Sequence, residues 1–207
     1  LMTGLKAGTP VAGGMFDIDA CSLASGIVDE SQMSLVAGTW GNNQYISKQP
    51  LIDKDLFMSS VYSIPGWYLM LEGSPTSASN LDWFIKTFLN NEKEQKGEQF
   101  FDWLNKQVAS ISPSSSNIVF TPFLFGCNER VDVKSGFYGM NSDHTLFHMT
   151  RAVYEGIVFS HKTHIDRLLK FRNPPEVIRC TGGASQSDVW MQMFADTIGI
   201  PMEIPEG

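Results

Sequence analysis

An α/β fold follows from the order of patterns near the end of the chain and from the helices before them. Val177-Ile178-Arg179-Cys180 reads as a strand, Gly182-Gly183 as a turn, Ser187 to Ile198 as a helix and Met202-Glu203-Ile204 as a final strand, which together make one α/β unit. Upstream, Leu146, Met149, Val153 and Ile157 recur at helical spacing on one face. At 207 residues, 43% hydrophobic and 18% charged, the chain has the composition of a folded globular protein, and one main domain over residues 1–207 is expected.

Taken in order, the first forty residues are punctuated by glycines (Gly4, Gly8, Gly13, Gly14, Gly26, Gly38), the mark of tight turns or close backbone approach. Met33 to Ala37 reads as a strand ending at Gly38-Thr39, and Gln44 to Ser47 as its antiparallel neighbour. Beyond Tyr68 to Leu71 the pattern changes at Pro75, and Leu81, Phe84, Ile85, Phe88 and Leu89 predict an amphipathic helix behind a Thr76 or Ser77 cap. Asn90 to Gly97 reads as a charged connector, and Phe100, Phe101, Leu104 and Val108 predict a second helix. Ser112 to Asn117 is a loop before the strand-like Ile118-Val119-Phe120. The longest helix is expected from near Asp143 to near Phe171, ended by Pro174-Pro175.

The net charge of −7 leaves no basic stripe for a phosphate backbone, which argues against a nucleic-acid partner and for a small-molecule or protein one. The opening residues Leu1 to Lys6 lack the pattern of a signal peptide, and no run of about 18 apolar residues occurs, so no membrane association and a cytoplasmic location are expected. Cys21, Cys127 and Cys180 form no CxxC pair and are expected to be reduced, buried and inert. His144 with His148, and His161 with His164, share helix faces, yet no third ligand accompanies them; they read as helix-surface histidines, and no metal ligand is assigned. Trp83, Trp103 and Trp190 fall in apolar helical patterns and are expected in the core.

Three places are candidates for chemistry. The strand, Thr181-Gly182-Gly183-Ala184-Ser185-Gln186-Ser187 turn and helix can present backbone N–H groups to an anionic or polar ligand, or can be a plain strand-to-helix turn. At Gly38-Thr39 a hydroxyl and adjacent amides can hold a phosphate. Asp17 and Asp19, after Gly13-Gly14, can accept a proton from a substrate hydroxyl or act as turn caps.

In sequence order these segments are similar to the second half of FGGY-family carbohydrate kinases. The resemblance is carried by Thr3 to Val11 with Gly13-Gly14-Met15-Phe16-Asp17; by Gly38-Thr39-Trp40; by Phe123-Leu124-Phe125-Gly126, Glu129-Arg130, Gly136 to Met140 and Arg151 to Phe159; and by Thr181 to Trp190 with Ala195-Asp196 and Gly199-Ile200-Pro201. Carried over residue by residue, it implies that Asp17 is the base taking the sugar hydroxyl's proton. Thr39, with Gly38, is a phosphate ligand, and Gly182, Gly183, Ala184 and Ser187 form the adenosine edge, with Ala78 and Asp82 nearby. The family's glycine seven residues after its aspartate matches Gly26 from Asp19 rather than Asp17, so Asp19 is the alternative; Gly-Met-Phe-Asp resembles the L-xylulose kinase-like branch and favours Asp17.

The resemblance further implies an actin-like, ribonuclease H-like fold whose two domains clamp ATP, Mg2+ and a sugar, with this chain as the second, nucleotide-binding domain. The N-terminal sugar-binding domain and a final helix are then absent, the chain alone is expected to be inactive, and two copies can associate as a homodimer through the exposed apolar surface. The activity implied is ATP-dependent phosphorylation of a pentulose such as L-xylulose. The competing reading is a nucleotide-binding regulator on the same fold that transfers no phosphate.

Overall fold

A computed structural model describes residues 3–128, 130 and 132–205; Leu1, Met2, Glu129 of the Glu129-Arg130 pair, Val131, Glu206 and Gly207 lie outside the described residues. β1 (Gln32–Ala37) and β2 (Gly41–Ser47) form the expected hairpin, antiparallel with Ser34 opposite Gln44. β4 (Tyr68–Ser74) pairs antiparallel with β2, and β3 (Met58–Val61) lies beyond it at the edge. The chain then leaves the sheet for its helices and returns as β7 (Val177–Thr181), parallel to β1, followed by β8 (Met202–Glu203), parallel to β7. The result is a six-stranded mixed sheet in the order β3-β4-β2-β1-β7-β8, beside a two-stranded sheet of β5 (Val119–Thr121) and β6 (Gly136–Tyr138).

Alternation along β1 sorts the two faces. Met33, Leu35 and Ala37 enter the main core. There α2 (Ala78–Phe88), α4 (Phe100–Ser110), α5 (Leu146–Leu168) and α6 (Asp188–Ile198) supply Phe84, Leu104, Ile157 and Phe194, among others. Ser34 is buried on the opposite face, where Gln44 Nε2 donates to it at 3.3 Å and to Ser22 Oγ at 2.8 Å. Ser22 belongs to α1 (Asp17–Ala24), which covers that face over a smaller cluster of Ile27, Ile46, Tyr62 and Leu69. The turn-rich reading around Asp17 and Asp19 thus gives way to a short helix. Its apolar residues do not gather on one stripe, so no period announces it.

Several sequence expectations change in the folded chain. Residues 90–97 are no mere connector: α3 (Asn90–Lys96) spans most of them, with Asn90 Nδ2 donating to Glu94 at 2.7 Å and no residue buried. A helix polar on all sides has no hydrophobic period to read. Ser77 is the N-cap of α2, yet its side chain accepts no cap hydrogen bond; the hydroxyl faces His161 Nε2 at 2.9 Å instead. His161 and His164 are buried rather than on the surface. His161 Nδ1 lies 2.8 Å from Asn43 Oδ1, and His164 Nδ1 donates to Glu72 Oε2 at 2.9 Å. A buried polar side chain is tolerated where its hydrogen bonds are made, and here they are. His144 and His148 act at the other end of α5. His148 Nδ1 accepts from the Thr145 N–H at 3.1 Å in a capping box, and His144 Nδ1 from the Asn141 N–H at 3.0 Å. Of the cysteines, Cys180 is buried as expected, but Cys21 is exposed, because its side of α1 points away from the sheet. Trp190 is buried in the core, and Trp83 and Trp103 pack against it half-buried. Among the described residues no helix is long and apolar enough to cross a membrane.

Candidate functional site

The parallel pairing of β1 with β7 sets Val36 opposite Thr181, so the Gly38-Thr39 and Gly182-Gly183 turns emerge side by side from the same end of the sheet. In an α/β sheet such carboxyl ends are where ligands bind. Contact between the turns is close. A side chain at Gly182 would place its Cβ 2.8 Å from the Ala37 carbonyl oxygen and 3.3 Å from the Gly38 nitrogen, and φ there is +95°. Only glycine meets both demands. The start of α2 joins them, its Ala78 N–H donating to the Gly38 carbonyl at 2.9 Å.

Beyond Gly182 a 3-10 turn, Gly183–Gln186, leads into α6, whose N-cap is Ser187, with its hydroxyl accepting from the Trp190 N–H at 3.2 Å. Gly183, Ala184 and Ser187 form one wall of a cleft of about 500 Å³. Ala78 and Asp82 of α2 line it as well, so the segments singled out as an adenosine edge stand together around one hollow. Sequence reasoning missed the rest of the lining. Leu81 and Ile85 come from α2, Phe101 and Asn105 from α4, Tyr154 from α5. Tyr154 and Trp190 stack with ring centroids 4.4 Å apart, and Trp190 Nε1 donates to the Tyr154 carbonyl at 3.2 Å. Burial raises the Tyr154 hydroxyl above its ordinary value, so it remains a neutral donor.

The Arg151 to Phe159 segment holds this cleft in shape. Arg151 donates to the Ile111 carbonyl at 2.7 Å beyond the end of α4 and pairs with Glu155 at 2.7 Å. A Cβ at Gly156 would collide with the Phe120 carbonyl oxygen, so this glycine lets α5 lie directly on β5. A second hollow, about 550 Å³, lies beside β4. Its buried Glu72 is already bonded by His164, by Arg167 at 3.4 Å and by the Phe57 N–H at 2.7 Å, which makes it a structural knot.

Asp17 is not drawn into the cleft; it lies exposed in the first turn of α1, on the other side of the sheet, with Oδ1 accepting from the Ile18 N–H at 2.9 Å. Asp19 is buried, accepts from Ser63 Oγ at 2.9 Å through Oδ2, and leaves Oδ1 without a partner. Burial and then the charge of Asp19 push the Tyr62 hydroxyl up to about 12. Thr39 is exposed at its turn and outside the cleft lining. Among the described residues no group of three or more His, Cys, Asp or Glu side chains is placed to hold a metal ion.

Comparison with known proteins agrees with this architecture. The chain is 42% identical over 207 residues to the L-xylulose/3-keto-L-gulonate kinase of Escherichia coli K12, covering 99% of the chain and 40% of that protein. It is 38% identical over 209 residues to a probable L-xylulose kinase of Pasteurella multocida, covering 99% of the chain and 41% of that protein. The crystal structure of a xylulose kinase from Rhodospirillum rubrum superposes with a TM-score of 0.85 at 26% identity, over 98% of this chain and 40% of that one. The chain thus spans about two fifths of the length of these relatives, and its fold is the actin-like ATPase fold of the sugar kinases. Residues 33–207 match the FGGY family of carbohydrate kinases, C-terminal domain, and the chain belongs to that family.

Proposed function

We propose that this chain is the nucleotide-binding domain of an ATP-dependent kinase acting on a pentulose such as L-xylulose. The observation that carries the reading is the convergence of the Gly38-Thr39 and Gly182-Gly183 turns at the end of β1 and β7, with a largely apolar cleft of about 500 Å³ opening beside them. Adenosine occupies the cleft against Gly183, Ala184 and Ser187, and its phosphates leave towards Thr39, whose exposed hydroxyl and neighbouring amides donate to them. Magnesium bound with the nucleotide would supply charge neutralisation at the phosphates.

Asp17 is the base. It is the solvent-facing carboxylate of the pair at the start of α1, whereas Asp19 is turned inward to Ser63. In the transfer the sugar O–H bond breaks as its oxygen bonds to the γ-phosphorus. The bond from that phosphorus to the bridging oxygen breaks to release ADP, and the proton goes to the Asp17 carboxylate. In this reading the sugar is held by the part of the protein beyond this chain, so the chain alone transfers nothing, and that part brings the sugar hydroxyl to the base and the phosphate.

The test is ADP release by the full-length protein with Mg-ATP and a panel of pentuloses, pentoses, polyols and gluconate, beside Asp17→Asn and Asp19→Asn. A general base is worth about 10² to 10⁴ in rate, so Asp17→Asn is expected to lose that factor in kcat with ATP binding retained. A fully active Asp17→Asn with a dead Asp19→Asn reverses the assignment, and no sugar-dependent ADP from the parent protein removes the kinase reading.

A further inference from the structure

The geometry points to Asn105 as the residue that reads the nucleobase, donating from its amide nitrogen to a ring nitrogen of the purine. The inference rests on the cleft being the nucleotide site, as proposed above. Asn105 stands on α4 at the cleft wall, half-buried, with Leu81, Ile85 and Phe101 around it as apolar sides suited to a flat ring.

Its carboxamide is held in one orientation. Two hydroxyl groups converge on Asn105 Oδ1, Tyr154 Oη at 3.2 Å and Ser187 Oγ at 2.8 Å. Each hydroxyl has one hydrogen to give, and both give it to the same oxygen. Reversing the amide would take this shared acceptor away from both hydroxyl hydrogens, so the nitrogen is the end left facing away from them. Among the described residues Nδ2 has no hydrogen-bond partner.

Both hydroxyls are themselves anchored. Ser187 Oγ accepts from the Trp190 N–H and belongs to the helix cap, and burial keeps the Tyr154 hydroxyl protonated. Asn105 therefore presents a pre-oriented donor in an apolar slot, where a hydrogen bond to an acceptor is worth more than in water and reorganisation costs little. A purine supplies in-plane acceptors at its ring nitrogens, and that is the ligand chemistry the slot takes. Phosphate contacts cannot explain this arrangement, because the group sits on the α4 wall while the turns that face phosphate lie at the end of β1 and β7.

The test is calorimetric titration of this chain with Mg-ATP and with its 1-deaza, 3-deaza and 7-deaza analogues, each lacking one ring acceptor. One lost hydrogen bond corresponds to about 3- to 10-fold in affinity. The unmodified chain is expected to bind one of the three analogues that much more weakly than ATP, and Asn105→Ala to bind ATP more weakly by the same factor and no longer distinguish that analogue. Asn105→Asp keeps an acceptor for both hydroxyls but exchanges the donor for a charged carboxylate; whatever its overall affinity, it is expected to lose the same discrimination between ATP and that analogue. A merely structural role would weaken all four nucleotides alike. The inference is overturned if the unmodified chain treats them equally, or if the variants keep the preference. Absence of ATP binding by the unmodified chain is a different outcome, and it removes the nucleotide reading along with this one.

Discussion

Gly182 and Gly183 are adjacent in sequence and opposite in constraint. At Gly182 a methyl group would meet the Ala37 carbonyl at 2.8 Å in a left-handed backbone, whereas at Gly183 nothing lies within 4 Å of it. Gly182→Ala is expected to cost about 1–3 kcal/mol in denaturant unfolding. Gly183→Ala should leave stability unchanged and weaken Mg-ATP binding by about 10-fold, one step of 1.4 kcal/mol, because its methyl stands in the cleft wall. Equal destabilisation by both would contradict this division. His161 is the second residue with a measurable signature. Burial, and then the charge of His164, push its ring from 6.5 down to about 3. Between those values the unfolded chain takes up a proton that the folded chain refuses, so the contribution is intact above pH 6.5 and is lost as pH falls towards 3. Relative to His161→Gln, the parent should lose up to about 1.4 kcal/mol of stability per pH unit in that window, read from unfolding curves at a series of pH values; parallel profiles would refute a buried neutral ring. A signal for these histidines was present, since His161 and His164 continue the stripe of Val153 and Ile157 along α5. No such signal marks Asn105, an ordinary polar residue beside Leu104 in a helix.

Among the elements, α5 is the organising piece. It buries Val153, Ile157, Val158, Ile165 and Leu168, while α3 buries nothing. Native-state hydrogen exchange should therefore find the slowest amides in the middle of α5 and near-immediate exchange in α3; protection of α3 comparable to α5 would mean that something covers it. The same difference explains what could be read beforehand. Helices α2, α4, α5 and α6 carry an apolar stripe against the sheet, so periodicity finds them. α1 and α3 lack one, and β3 is a four-residue edge strand whose residues are half-buried or exposed, so its pattern never alternates cleanly. The order of the strands was equally out of reach, because the partner of β1 on its far side lies about 140 residues downstream.

For the molecule as a whole, the site is a product of topology. β1 and β7 become neighbours only when the intervening helices pack on one face, and that contact is what joins the Thr39 turn to the Gly182 turn. If the nucleotide side of the proposed kinase is complete in this chain and the sugar side is not, Mg-ATP should raise its melting temperature by mass action, while L-xylulose without nucleotide should not. Stabilisation by sugar alone would place substrate-reading groups in this domain. The linear pattern was sufficient for the α/β class, the family and the glycine turns, because each is a local run of residues whose backbone demands or order are visible in one dimension. The folded chain decided which of those runs meet, that His161 and His164 face inward, that Asp17 is exposed while Asp19 is buried, and that Tyr154 and Ser187 orient Asn105. Those are relations between residues far apart along the chain, set by burial and hydrogen bonding across elements, and no local pattern encodes them.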